Sequence, residues 1–200
     1  MRKLVVVLVV LAVVLVPLLI LAAWAVGTYN RIVPANEQVR SAWGDVENNY
    51  QRRMDLIPNL VETVKGVAEF ERGTFTEVAE ARSRAGQVRL SPELLNDPNA
   101  FQAFERTQGE LSSALSRLLV TVEQYPQLKA NENFRDLQTQ LEGTENRIAV
   151  SRRRFNETVQ GYNVLVQRFP GRIVASMFGF APRPYFEARE GAEQAPAVKF

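Results

Sequence analysis

An uninterrupted stretch without charge, Leu4 to Val26, constrains this 200-residue chain more than any other feature. At about 1.5 Å per residue, a helix over this stretch is roughly 34 Å long. That length is enough to cross a hydrocarbon core of about 30 Å. We therefore predict a transmembrane anchor over residues 1–28, followed by a domain held at a membrane surface.

A cleaved signal peptide is the competing interpretation of this stretch. Ala23-Trp24-Ala25 has the small-x-small form of a cleavage site. The stretch is, however, longer than the apolar region of about 7–15 residues that such peptides carry. Trp24 and Tyr29 also stand where aromatic rings favour the membrane interface. These features favour a retained anchor.

The charges that flank the stretch predict its orientation. Arg2 and Lys3 favour a cytoplasmic N-terminus at the inner membrane. The body is then expected to be periplasmic or extracellular. Arg31 and Arg40 lie on the other side of the stretch and weaken this bias.

Composition restricts the chemistry of the body. The chain has no Cys and no His, which removes thiolates, disulfides, imidazole bases and the usual zinc ligands. Without Arg2 and Lys3, 22 of the 24 basic residues remain, and they balance 22 acidic ones. A neutral body gives no reason to expect nucleic-acid binding. No cofactor is predicted.

Three segments carry apolar residues at the three-and-four spacing of helices that pack along one stripe. The first stripe contains Val39, Trp43, Val46, Tyr50, Ile57, Val61, Val64 and Ala68, with Arg53 or Met54 in the gap. The second contains Phe101, Phe104, Gln108, Leu111, Leu115, Leu118, Val122 and Tyr125. The third contains Phe134, Leu137, Leu141, Thr144, Ile148, Ser151, Phe155, Thr158, Tyr162, Leu165 and Phe169. No segment shows sustained strand alternation, so the pattern predicts an all-α domain.

Turn signals separate the segments. Residues 86–98 contain Gly, Ser-Pro and Asn-Asp-Pro and predict a loop, after which Asp97 caps a helix with Pro98 at its first position. Pro126 marks a tight turn before a last helix over about residues 131–169.

Two further breaks in the first segment stay open at this stage. The first places a cap at Asp55 with Pro58 in the first turn, and a kink within one long helix is an equal alternative there. The second places a cap at Thr74 with Glu77 completing a capping box. A break at either place gives an N-terminal transmembrane helix followed by an antiparallel up-and-down four-helix bundle, whereas no break gives a three-helix version.

The segment Phe169–Phe180 is short and apolar and carries one charge. One interpretation is that it covers the base of the bundle core. The other is that it lies in the membrane interface beside the anchor, with Phe178 and Phe180 in contact with lipid. Residues 187–200 predict a flexible tail.

Several long stretches resemble the LemA family. They are residues 52–66, with the letters RRMDLIPNLVETVKG; residues 125–134 and 141–149; and the C-terminal motifs MFGF at 177–180 and YFEA at 185–188. The resemblance covers roughly residues 29–200. It implies a membrane-anchored bacterial protein with a helical bundle over residues 29–186, and it brings no established catalytic activity.

The candidate structural or interaction residues are the polar and aromatic positions of these motifs: Arg52, Arg53, Asp55, Pro58, Asn59, Glu62, Glu142, Asn146, Arg147, Phe178 and Phe180. We favour capping by Asp55 and Asn59, and ion pairs from Arg52 and Arg53 to acids on a neighbouring helix. Divalent-cation binding through Asp55, Asn59 and Glu62 is the weaker hypothesis, and no catalytic or metal site is predicted. The run Arg152-Arg153-Arg154 fans over about 200° and predicts a solvated or salt-bridged face.

These observations predict a non-catalytic protein-binding scaffold or adaptor in the cell envelope. A lipid- or envelope-polymer-binding module using residues 178–180 and a carboxylate-based metal-dependent enzyme are the alternatives. The expected partners are the membrane and other envelope proteins, and a homo-oligomer is compatible with striped helices.

Overall fold

The computed structural model describes residues 2–65 and 72–187. Within these ranges the chain contains helices and no strand, which confirms the all-α prediction. The elements are α1 (Arg2–Lys65), α2 (Arg72–Gln87), a 3-10 helix (Pro92–Asn96), α3 (Pro98–Val122), α4 (Pro126–Ala130), α5 (Glu132–Gln167) and α6 (Gly171–Met177). The 3-10 helix and α4 lie where only loops were predicted.

Helix α1 passes through residues 55–59 without a break, so the predicted capping by Asp55 and Asn59 is wrong. Proline has no N–H, and Pro58 therefore leaves the carbonyl of Met54 without its helical donor. Arg82 of α2 fills this role, because its Nε donates to the Met54 carbonyl oxygen at 3.1 Å. A neighbouring helix thus supplies a hydrogen bond to the carbonyl that Pro58 leaves without its helical donor.

This contact gives a prediction that a double-mutant cycle tests. Replacing Arg82 with Met is expected to lower the free energy of unfolding by about 1–2 kcal/mol, because the Met54 carbonyl loses its donor. In a Pro58→Ala background the backbone N–H returns, so the same Arg82→Met change is expected to cost clearly less. Urea unfolding of the four variants measures the coupling. Equal costs of Arg82→Met in both backgrounds would show that Arg82 does not replace the lost bond.

Helices α1 and α2 are separate elements, as the four-helix alternative requires. Helix α2 already begins at Arg72, so Thr74 lies within its first turns and the predicted cap at Thr74 is wrong. Ala68 and the residues between α1 and α2 lie outside the described part of the chain. Asp97 does cap α3, since its Oδ1 accepts from the backbone N–H groups of Asn99 (2.9 Å) and Ala100 (3.2 Å).

Contacts divide the chain into two compact units. We call residues 42–65, 72–157 and 183–187 the bundle unit, and residues 2–41 and 158–182 the anchor unit. Each is described separately.

In the bundle unit, four helical segments run alternately up and down. Arg117 of α3 pairs with Glu77 of α2. Further along the same helices, Arg84 Nε of α2 donates to Glu110 of α3 at 3.1 Å. Residue numbers rise on one helix as they fall on the other, so α2 and α3 are antiparallel. The same reversal holds for the pairs that join α1 to α5, Arg53–Glu145 and Asp45–Arg154.

The bundle core contains residues of every predicted stripe. One end of the bundle is filled by aliphatic side chains of α1, α2, α3 and α5, closed by Leu128 of α4. Both residues proposed for the gap in the first stripe, Arg53 and Met54, are buried. In the third stripe, Phe169 is 77% exposed, so its predicted place in the core is wrong.

In the anchor unit, the apolar part of α1 is the one candidate membrane span among the described residues, and none of its apolar window is buried within the protein. Tyr162 of α5 donates its hydroxyl to the Ala181 carbonyl at 3.0 Å. Gly171 begins α6 close to α5, since a Cβ there would lie 2.6 Å from the Leu165 carbonyl oxygen. This close approach requires glycine.

Candidate functional site

The most unusual feature of the bundle unit is a buried arginine. Arg53 of α1 is 1% exposed. Its Nη1 donates to Ser112 Oγ of α3 and to Glu145 Oε1 of α5, both at 2.8 Å. Its Nη2 donates to the side-chain oxygen of Gln108. One guanidinium therefore joins three helices, and the predicted ion pair from Arg53 to a neighbouring helix is present.

Arg53 forms the floor of a cleft of about 390 Å³ in the bundle unit. The guanidinium carbon lies 4.9 Å from the centre of the Tyr50 ring, a cation–π distance. Arg53 Nε and Gln108 Nε2 are buried donors without a partner in the described residues. The cleft is lined mainly by polar side chains: Tyr50, Arg53, Gln102, Glu105, Arg106, Gln108, Gly109, Ser112, Glu145, Ile148, Arg152 and Glu187.

A second ion pair lies in the same cleft. Arg152 Nη2 of α5 donates to Glu105 Oε1 of α3 at 3.0 Å and to the Glu187 carbonyl at 3.0 Å. The backbone N–H of Glu187 donates a hydrogen bond to Glu105 Oε1 at 3.2 Å. The Arg152 guanidinium carbon also lies 4.5 Å from the centre of the Phe186 ring. The hydrogen bonds of Arg152 and Glu105 to the backbone of Glu187, and the contact of Arg152 with the Phe186 ring, hold the segment 183–187 against α3 and α5.

That segment closes an aromatic cluster next to the cleft. Asn156 of α5 exchanges two hydrogen bonds of 2.9 Å with the backbone of Phe186, as a neighbouring strand would. The Phe186 ring stacks 6.2 Å from the Trp43 ring and lies 4.9 Å from Phe101. Phe186 of the YFEA motif is therefore part of the bundle core, which its place near the C-terminus did not indicate.

Burial changes the pKa of two groups in the cleft. It raises the pKa of Tyr50, against the opposing effect of Arg152 and Arg53. It also raises the pKa of Glu105 above its usual 4.5, because desolvation outweighs the attraction of Arg152. The Glu105 side chain is 18% exposed.

The raised pKa of Glu105 predicts a dependence of stability on pH. The unfolded state loses this proton at a lower pH than the folded state does. The contribution of Glu105 to the free energy of unfolding is therefore highest below about 4.5, falls as the pH rises from there to the folded pKa, and is constant above it. We expect Glu105→Gln to remove this fall in urea titrations between pH 4 and 8. Glu110→Gln, an equal change of charge on the same helix, is the control, and an identical slope in wild type and Glu105→Gln would contradict the assignment.

The other predicted residues of the first motif lie on the exposed surface of α1. Arg52, Asp55, Asn59 and Glu62 are exposed. Arg52 forms no ion pair within the described residues, so its predicted pairing with an acid of a neighbouring helix is wrong. Asp55 accepts from Gln51 Nε2 at 2.9 Å, and Glu62 pairs with Lys65 at 2.8 Å, so both interact within their own helix. In the part of the chain that the structure covers, no group of three or more acidic side chains is placed to share a metal ion.

The residues of the second motif border two shallow grooves on α5. Glu142, Asn146 and Arg147 are exposed. One groove of about 450 Å³ lies between α1 and α5, and its lining combines amides, charges and one exposed valine: Asp45, Asn48, Asn49, Asn146, Arg147, Val150, Ser151 and Arg154. Another groove, between α3 and α5, includes Glu142, Glu145 and Asn146.

Phe178 and Phe180 lie beside α1 in the anchor unit. Their ring centres are 4.7 Å and 5.9 Å from the centre of the Tyr29 ring. Helix α6 buries Val174 and Ala175. The exposed apolar side chains in and next to α6 are Phe169 (77% exposed), Ile173 (51%), Met177 (74%) and Phe178 (56%).

Sequence reasoning missed Glu105 and Asn156 altogether, and it placed Arg152 on a face that is solvated or salt-bridged without naming a partner. The pairing of Arg152 with Glu105 agrees with the second of those descriptions. The sequence does contain one indication of Glu105. It directly follows Phe104 and lies three residues before Gln108, and both of these residues belong to the predicted second stripe.

These features define a class: an all-α protein in which a candidate membrane helix is followed by an up-and-down four-helix bundle with a polar cleft. The LemA family model matches residues 42–200. The chain belongs to the LemA family.

Curated relatives agree with this assignment. The chain is 28% identical over 181 residues to the magnetosome protein MamQ of Magnetospirillum gryphiswaldense, covering 82% of this chain and 66% of that protein. It is 26% identical to MamQ 1 of Paramagnetospirillum magneticum with the same coverage. It is 21% identical over 165 residues to protein LemA of Metamycoplasma hominis, covering 82% of this chain and 71% of that one. The chain thus spans slightly less than two thirds of the length of the MamQ proteins.

Proposed function

We propose that this protein is a single-pass, membrane-anchored, non-catalytic scaffold that binds other proteins in the bacterial cell envelope. Residues 1–28 serve as the anchor and residues 29–186 form the bundle. The tail proposed for residues 187–200 lies outside the described residues, except for Glu187. The uncharged stretch of α1 supports the anchor, since all of its apolar window is exposed and only a bilayer or a partner would cover it. Arg2 and Lys3 favour a cytoplasmic N-terminus, with the bundle outside the cytoplasm.

The observation that carries the binding role is the groove between α1 and α5 in the bundle unit. Val150 is 50% exposed there. Around it stand Asn48 and Asn146, whose amides can donate and accept hydrogen bonds, and Arg147, whose guanidinium can donate them. Protein interfaces combine an apolar centre with a polar rim in this way, and arginine is enriched in them. A partner helix is the occupant that suits a groove between two helices.

The contacts of the charged side chains in the cleft support a structural role for these residues. Arg53 is engaged by Glu145 and Gln108, and Glu105 by Arg152 and the backbone of Glu187. Catalytic acids and bases must reach a substrate, whereas these groups are held by other parts of the chain. Their pairing fits a rigid scaffold.

The experiment is site-specific photocrosslinking in native membranes. A photoreactive residue at position 150 is expected to give a discrete adduct with one envelope protein. The same residue at Val120, which is 62% exposed on α3, serves as the matched control and is expected to give no such adduct. Identical adducts from both positions, or none from position 150, would contradict the scaffold proposal for this face.

A second candidate function, contact with lipid through α6, is favoured by the exposed apolar side chains of Phe169 and Met177. A short helix with one apolar face exposed next to a membrane span suits the interface. A fluorescent probe at position 178 of the full chain in liposomes is expected to be quenched by lipid-borne groups. An unquenched probe would exclude lipid contact at this position.

A further inference from the structure

A cavity of about 340 Å³ lies in the anchor unit, where α1 leaves its apolar stretch. Its wall combines two chemistries. Arg31 of α1 and Arg168, which follows α5, supply guanidinium groups, and Thr28 supplies a hydroxyl. Apolar side chains supply the rest, among them Trp24, Leu165 and Phe169.

The two arginines are exposed, and within residues 2–65 and 72–187 neither forms an ion pair with a carboxylate. Arg40, an arginine of the same unit, is by contrast paired with Glu37. Two guanidinium groups at one cavity attract an anion with several oxygens, because each can donate two parallel hydrogen bonds to it.

The distance of the cavity from the end of the apolar stretch, measured along α1, indicates which anion it meets. Arg31 lies five residues after Val26, or about 7.5 Å along the helix axis. The polar layer on each side of the hydrocarbon core is about 5–8 Å thick. If Val26 ends the span, Arg31 lies at the level of the lipid phosphates, and Trp24 lies at the border of the hydrocarbon.

We infer that this cavity binds the phosphate headgroup of a membrane phospholipid. The phosphate lies between Arg31 and Arg168, and the first part of the acyl chains follows the apolar wall at Trp24 and Phe169. The inference rests on the proposed insertion of residues 4–26 in the bilayer. It also gives a role to Arg31, a positive charge that stands against the orientation bias of the N-terminus.

The turn between α5 and α6 builds the cavity wall. Gly171 lies close to Leu165, and a Cβ at Gly171 would be 3.9 Å from Thr28 Cγ2 of α1. This close packing holds Arg168 on the same side as Arg31. The exposed apolar face of α6 continues from the cavity through Phe169.

Native mass spectrometry of the full chain in mild detergent, with added phosphatidylglycerol, tests the site. The wild type is expected to retain about one phospholipid per chain. Arg31→Gln/Arg168→Gln is expected to lower the apparent affinity about tenfold or more, since each charge-assisted contact to phosphate is strong. Arg40→Gln, on the same helix outside the cavity, is the matched control and is expected to bind as the wild type does. Far-UV circular dichroism checks that all variants are folded.

Insertion is measured separately. Trp24 fluorescence, taken as the difference between the wild type and Trp24→Phe, is expected to be quenched by lipids brominated on their acyl chains, in the double variant as well. Quenching with unchanged lipid retention in the double variant would overturn the headgroup site and leave the anchor intact. Absence of quenching in the wild type would overturn the anchor and the site together. Displacement of the lipid by millimolar inorganic phosphate would assign the cavity to free phosphate and overturn the lipid assignment.

Discussion

Replacing Trp43 with alanine is expected to lower the free energy of unfolding by about 3–5 kcal/mol, because a large buried side chain is lost and a cavity remains. Trp43 is fully buried in the bundle unit. Its ring centre lies 5.6–5.9 Å from those of Phe101, Phe104 and Phe155. Aromatic pairs add about 0.5–1.5 kcal/mol each beyond the area that they bury.

Two matched variants serve as controls for this prediction. Trp43 Nε1 has no hydrogen-bond partner in the described residues, so Trp43→Phe removes volume but no bond. It is expected to cost much less than Trp43→Ala. Trp24→Ala removes the same side chain from a position that is 37% exposed, and a small change is expected. Chemical unfolding of the full chain in detergent measures all three. A loss below about 1 kcal/mol for Trp43→Ala would contradict the role of the aromatic cluster.

Helix positions and core faces could be predicted from the sequence because they depend on local spacing. The stripe through Trp43, Ile57 and Val64 is buried as the three-and-four pattern predicts. The start of α3 was predicted to the residue, because Asp97 and Pro98 act on the helix that directly follows them. These effects depend on neighbours along the chain, which the sequence displays.

The sequence left the continuity of α1 at Pro58 open, and the donor to the Met54 carbonyl comes from another helix. Pro58 breaks the local hydrogen-bond pattern, and local reasoning therefore allowed a helix start at Asp55. The donor that restores the pattern, Arg82, is 28 residues from Met54 in the chain. A turn of the chain brings the two together, and sequence spacing does not show that turn.

The polar cleft could not be predicted from the sequence either, because it is formed by residues of several helices. The first stripe left Arg53 and Met54 as equal candidates for one gap, since both fit the helical period. Arg53 is buried because Gln108, Ser112 and Glu145 meet it from two other helices. The Phe169 error has a related origin: the period of α5 continues in the sequence, but the helix ends at Gln167.

Replacing Arg53 with methionine is expected to lower the free energy of unfolding by about 2–4 kcal/mol. Methionine keeps most of the apolar packing of the arginine stem, so the loss reports the polar contacts. Gln108 is buried and loses its partner, which costs the desolvation of that group. Glu145 is 35% exposed and regains some water, which limits the loss. Arg53→Lys keeps the charge but not the forked geometry, and an intermediate loss is expected.

The controls separate the buried network from a simple loss of charge. Arg52→Met removes an exposed arginine at the next position and is expected to change stability by no more than about 0.5 kcal/mol. Arg53→Met/Glu145→Met removes both partners of the ion pair. It is expected to be more stable than Arg53→Met alone, because an ion left without its partner is worse than an apolar pair. Equal losses of unfolding free energy for Arg52→Met and Arg53→Met in urea would mean that the contacts of Arg53 with α3 and α5 contribute no net stability.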